Sequence, residues 1–150
     1  MKKNTEHKNN KILCVSHKIK IRFDETDAMG IVWHGNYLKY FEDGREAFGR
    51  KFGISYQDVM DKNLATPIVK SSVEHFLSLK YGEECRVETT YIFTEAAKLV
   101  FSYRIFNTKK KLVCTGETVQ VFTEIKNGEM QLSIPQFYKD WKQRNILKDA

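Results

Sequence analysis

Residues 23–52 read FDETDAMGIVWHGNYLKYFEDGREAFGRKF. Two patterns meet inside this stretch. DETDAMG is built from turn-forming residues. From Asn36 the spacing becomes helical: Tyr37, Phe41, Phe48 and Phe52 share one stripe, joined by Leu38, Tyr40 and Ala47. The stripe is wide and aromatic, which predicts a deeply buried helix over 36–52. Gly44 interrupts it at a cost of roughly 1 kcal/mol relative to Ala, a cost that close approach to another backbone would explain. Gly53 stands where such a helix stops. Ser55 and Asp58 then make a capping-box start for a short helix ending near Lys62.

Strand patterns flank the helices. Val15, His17, Ile19, Ile21 and Phe23 alternate with polar residues, the period of a half-buried strand. Downstream, 65–78, 84–94, 98–107 and 111–124 read as strands. The second carries Val87, Thr89, Tyr91 and Phe93 on one face, and the third carries Leu99, Phe101, Tyr103 and Ile105. Asn127-Gly128 is a hairpin signal and predicts a short strand to about Ile134. Pro135 can open a last helix without losing a needed N–H, docked by Phe137 and Trp141. The sum is α+β: one long central helix wrapped by a curved antiparallel sheet. Strands this long leave exposed edges, which pairing across a two-fold axis would cover, so at least a dimer is expected.

Composition sets bounds. The chain has 150 residues, 41% hydrophobic and 29% charged, which suits one globular domain. No run approaches the roughly 20 apolar residues of a membrane span. The basic start MKKNTEHKNNK is followed by no apolar run, so it does not read as a secretory signal. Residues 1–11 are read as a flexible basic tail, residues 12–150 as a single domain, and the location as cytoplasmic. Cys14, Cys85 and Cys114 are scattered and lack CxxC spacing, so neither a disulfide framework nor a metal site is expected. The net charge of +6 is compatible with nucleic acid, an anionic membrane or a phosphorylated small molecule. No nucleic-acid motif accompanies it, so that partner is set aside.

The chemistry concentrates between the first strand and the long helix. Asp27 lies in the loop; His34, Gly35 and Asn36 lie where the helix begins. A first helical turn has free N–H groups and a partial positive charge, so it can polarise a carbonyl whose oxygen gains charge during reaction. Gly35 would let a ligand approach the backbone. A carboxylate facing this end can attack the carbonyl or activate water. Each residue also has a plain reading: Asp27 as a turn residue, His34 as a packing residue, Asn36 as an N-cap. Trp33, Tyr37 and Phe76 read first as core positions, and otherwise as pocket walls. Glu42 and Glu46 are the next carboxylates in line.

Asp27, Gly30, Ile31, Val32, Trp33, His34, Asn36 and Tyr37, with FGISYQDV after the helix and TPIV from Thr66, resemble the signature of the 4-hydroxybenzoyl-CoA thioesterase family, in particular its YbgC-like bacterial acyl-CoA thioesterases. The resemblance spans roughly residues 15–140. It implies a hot-dog fold and hydrolysis of an acyl-CoA to free CoA and a carboxylic acid, with no cofactor. Asp27 would be the catalytic nucleophile or general base, and His34 would act chiefly through its backbone N–H. Gly35, Asn36 and Thr66 would contact substrate, and Lys98, within EAAKLVF, would meet the CoA phosphates. A homodimer or homotetramer with sites at the dimer interface is implied as well. Competing readings are a non-catalytic acyl-CoA-binding hot-dog module, against which the intact motif around Asp27 speaks, and a hydratase, whose His–acid motif is absent.

Overall fold

Helix α1, Asn36–Phe52, is the axis around which the computed structural model is arranged; residues 11–147 are described. The other elements are β1 (Cys14–Lys20), α2 (Tyr56–Met60), β2 (Leu64–Ala65), β3 (Ile68–His75), β4 (Glu84–Ile92), β5 (Lys98–Asn107), β6 (Leu112–Val121), β7 (Thr123–Glu124) and α3 (Gln136–Asn145). Five strands form an antiparallel sheet in the order β1-β4-β5-β6-β3, while β2 and β7 make a separate small ladder.

The aromatic stripe of α1 lies on this sheet. Phe41 stacks on Tyr103 at 4.3 Å, and Phe48 meets Phe101 edge-on at 5.1 Å. Both phenylalanines are fully buried, each contributing about 1.5–3 kcal/mol by removal from water. The facing residues are the ones the alternation selects: Val87, Thr89 and Tyr91 on β4, and Leu99, Phe101, Tyr103 and Ile105 on β5. Gly44 is required because a Cβ there would sit 2.2 Å from Thr89 Oγ1. The close neighbour is thus a β4 side chain rather than a backbone. Gly53 ends α1 in the left-handed conformation, and Ser55 with Asp58 forms the capping box of α2.

The pattern misplaces several boundaries. The first strand stops at Lys20, and Phe23 points outward, 75% exposed, on a short helical turn. The 65–78 run divides at Pro67, which has no N–H to give a ladder; Leu64–Ala65 pairs with β7 and β3 starts beyond it. The 111–124 run likewise breaks at Phe122. The Asn127-Gly128 turn forms, but the segment after it makes only an isolated bridge between Thr123 and Met130, not a strand.

Helix α3 closes the C-terminal end of α1. Trp141 Nε1 donates to the Phe52 carbonyl at 2.7 Å, and Phe137 packs on Phe122. The Tyr138 hydroxyl donates to the Lys98 carbonyl, which leaves Tyr91 as the donor in the buried Tyr91–Tyr138 pair. Most of the predicted basic tail, residues 1–10, lies outside the described residues; Lys11 N–H bonds the Ile146 carbonyl. No described helix is long and apolar enough to cross a membrane.

Replacing Gly44 with Ala should destabilise the protein by about 1–3 kcal/mol through overpacking against Thr89, outweighing the helix-propensity gain. Adding Thr89→Ala should recover much of that loss. Urea midpoints of the two variants check this; a Gly44→Ala protein as stable as the parent would contradict the contact.

Candidate active site

The loop before α1 is a tight hairpin. Thr26 bridges Val32, Asp27 N–H donates to the Ile31 carbonyl at 2.8 Å, and Gly30 N–H returns to the Asp27 carbonyl at 2.9 Å. The turn closes only because Gly30 takes a φ of +77°. Asp27 Oδ1 accepts from Met29 N–H at 2.9 Å, an Asx turn. The aspartate is therefore a turn residue, as its plain reading has it. Its second oxygen has no partner among the described residues. The turn holds the carboxylate in place while leaving one oxygen available.

One main-chain carbonyl ties this hairpin to the helix. Glu25 C=O accepts from Trp33 N–H at 3.0 Å and from Asn36 Nδ2 at 2.7 Å. Val32 N–H donates to the Leu79 carbonyl, and Ile31 bridges Lys80, so the hairpin is also fastened to the segment between β3 and β4. Asn36 is not the N-cap. Gly35 occupies that position, and Asn36, 5% exposed, is the first helical residue, with its amide reaching back to the loop. The N–H groups of His34 and Gly35 make no hydrogen bond among the described residues. They stand at the positive end of α1.

Gly35 has a different local reason from the one its type suggests. A Cβ there would lie 2.2 Å from the Trp33 ring, so the glycine makes room for the indole. That indole is half exposed and leans on the exposed His34 at 5.0 Å between ring centroids. Tyr37 is buried core, edge-on to His75. Burial pushes the Tyr37 hydroxyl and the Cys85 and Cys114 thiols up to about 12. Both thiols are therefore protonated near neutrality and are poor nucleophiles. The core expectation fails for Trp33 and Phe76. Together with Phe23, Met29 and Tyr81 they stand exposed on the segments around the hairpin, off the packed faces of α1 and the sheet.

Thr66 and Lys98 lie apart from this cluster. Thr66 is buried, its carbonyl accepting from Gln120 Nε2 at 2.7 Å, and it borders a cavity of about 660 Å³ beside the middle of α1. Lys98 opens β5 at the end where Phe101 meets Phe48, toward the C-terminus of α1. Its side chain is exposed. A smaller cavity at the other end of β5 is bordered by Lys18, Arg86 and Lys110. Arg45, also on the larger cavity, was missed by motif reading. The available signal was a cation at helical spacing between Phe41 and Phe48, inside an apolar stripe.

A family model described as the thioesterase-like superfamily matches residues 21–142. The chain belongs to that superfamily. It is a thioester hydrolase with the hot-dog fold that the hairpin–helix motif implied. Among its thioesterase-like relatives, YneP of Bacillus subtilis is 31% identical over 83% of this chain and 89% of its own. The acyl-CoA thioester hydrolase YbgC of Escherichia coli O157:H7 is 26% identical over 69% of this chain and 77% of its own. The crystal structure of DHNA-CoA thioesterase from Staphylococcus aureus superposes with a TM-score of 0.80 at 29% identity, covering 87% of each chain.

Asn36→Ala should lower stability by about 1–3 kcal/mol, since it strips a buried hydrogen bond from the Glu25 carbonyl. It should also speed hydrogen exchange at Trp33 N–H, which shares that carbonyl. Unchanged exchange at Trp33 would show that the clamp does not depend on Asn36.

Proposed function

We propose that the protein hydrolyses an acyl-CoA, with Asp27 and the start of α1 as the working parts. The observation that carries this reading is the double clamp on the Glu25 carbonyl, which fixes the Asp27 hairpin and the N–H groups of His34 and Gly35 as one unit. A thioester carbonyl placed between them would have its oxygen on the N–H groups and its carbon facing the carboxylate. As general base, Asp27 takes a proton from water, whose oxygen attacks the carbon. As nucleophile, it forms an anhydride that water then opens. On either route the C–S bond breaks, CoA leaves as thiolate and takes up a proton, and the acyl group departs as the acid. No cysteine, metal or cofactor enters these steps. Asn36 is assigned a positioning role, and the His34 imidazole a lesser one than its backbone.

The active unit is proposed to be a homodimer or a homotetramer. β3 is an edge strand with Ile68 and Val69 exposed, and an edge of this kind invites pairing. Antiparallel pairing of β3 with its copy would set the start of one strand, where Thr66 and the larger cavity lie, beside the end of the other, which leads to the hairpin-bearing segment. Thr66 would then join the site of the partner subunit. Lys98 remains a candidate for the CoA phosphates, and Lys18, Arg86 and Lys110 form a second basic group for that role.

Offered a panel of acyl-CoAs, with a thiol reagent reporting free CoA, the protein should turn over some member. Asp27→Asn should keep its fold, because an Asn oxygen can still accept from Met29 N–H, while kcat falls by orders of magnitude. Near-parental rates in that variant would move the role to another carboxylate. Binding without turnover across the panel would favour the acyl-CoA-binding module.

A further inference from the structure

Tyr40 carries a polar atom into the buried face of α1. It is 1% exposed, where a phenylalanine would fill the core without a hydroxyl to satisfy. A buried tyrosine hydroxyl usually finds a partner. This one makes no full hydrogen bond among the described residues, and an idle buried donor is costly to a fold. The Glu25 carboxylate is set against it. Burial chiefly, and then the charge of that carboxylate, push the Tyr40 hydroxyl up.

Glu25 lacks a partner on its own side. Its side chain is half-buried, and one oxygen accepts from Arg22 N–H at 2.7 Å, which closes the turn leading into the hairpin. Among the described residues no cation pairs with it. The other polar neighbours of the Tyr40 hydroxyl are the Cys85 thiol and the Tyr37 hydroxyl. Burial holds both protonated, and both are weaker acceptors than a carboxylate. Asn36 and Tyr40 lie one turn apart on the same face of α1, and Asn36 Nδ2 already donates to the Glu25 carbonyl. The main chain and the side chain of Glu25 thus meet α1 at successive turns.

We infer that Tyr40 is a positioning residue for the hydrolysis: its hydroxyl donates to the second oxygen of Glu25 and so holds the entry turn of the hairpin, and through it Asp27, against the first turn of α1. This rests on the thioesterase reading above. A small rotation of the Glu25 side chain completes the bond. The carbonyl clamp fixes the hairpin by its main chain, and the carboxylate tie fixes the turn before it. Tyr40 and the Glu25 side chain act through Asp27 rather than on the thioester. Their effect falls on the chemical step, because a reacting group displaced by about 1 Å can cost about a hundredfold in rate.

The test is a double-mutant cycle on turnover of an acyl-CoA that the parent protein uses. Tyr40→Phe, which keeps the ring, should lower kcat by about tenfold or more with KM near its parental value. Glu25→Ala should do the same, and the double variant should lose no more than the worse single one, since both remove one interaction. A Tyr40→Phe protein with parental kcat, even if less stable, would overturn the assignment, as would losses that multiply in the double variant. Hydrogen exchange separates failure of the tie from failure of the thioesterase reading, and decides alone if Glu25→Ala does not fold. Tyr40→Phe should speed exchange at Asp27 N–H, which bonds the Ile31 carbonyl, and leave Ile54 N–H, bonded to the Gly49 carbonyl at the far end of α1, at its parental rate. Equal acceleration at both, or at neither, would overturn the tie. A parent protein that hydrolyses no thioester, yet loosens at Asp27 alone in the variant, would count against the enzyme reading and for the tie.

Discussion

The Glu25 carbonyl accepts from Trp33 N–H and from the Asn36 amide, and most of the site geometry follows from that pair of bonds. A hairpin held only at its ends would drift relative to the helix it precedes. Two donors on one acceptor, with Val32 bonded to Leu79 on the far side, remove that freedom. Asp27 is then fixed relative to the first turn of α1 before any substrate arrives. Preorganisation of this kind lets N–H groups stabilise developing charge without rearranging during the reaction.

The clamp needs a fixed helix, and the aromatic stripe supplies it. Phe41 on Tyr103 and Phe48 on Phe101 lock α1 onto β5 at two levels, and Gly44 lets it settle against Thr89 on β4. α3 pins the far end through Trp141 and the Phe52 carbonyl. The side of α1 that the sheet leaves open bears Leu38 and Glu42, whereas Arg45 is buried and bonded to Tyr103 of β5.

The α+β architecture was legible in the sequence because it rests on periodicity. The stripe of α1 and the alternation of β4 and β5 report which face is buried, and burial is what those residues do. The misplaced pieces have local causes. Pro67 divides a β-prone run because it lacks an N–H, and the segment after Gly128 has β-prone residues but no strand to pair with beyond a single bridge. Within the site, Asp27, His34, Gly35 and Asn36 were found as a group, yet the clamp itself was hidden. A main-chain carbonyl acts whatever its side chain, so nothing at Glu25 advertises it. Asn36 looked like a cap and serves as the clamp's donor; Gly35 looked like an opening and serves as a seat for Trp33. Exposure of Trp33 and Phe76 could not be read from their type, since large apolar residues are core by default.

The central claim is that the start of α1 polarises a thioester carbonyl held opposite Asp27. Infrared difference spectroscopy of a carbonyl-labelled acyl-CoA bound to the Asp27→Asn protein tests it most directly, because the ligand persists and only the donors act on it. The claim predicts a carbonyl stretch shifted to lower frequency than that of the free thioester. A bound carbonyl that absorbs at the free frequency would contradict it.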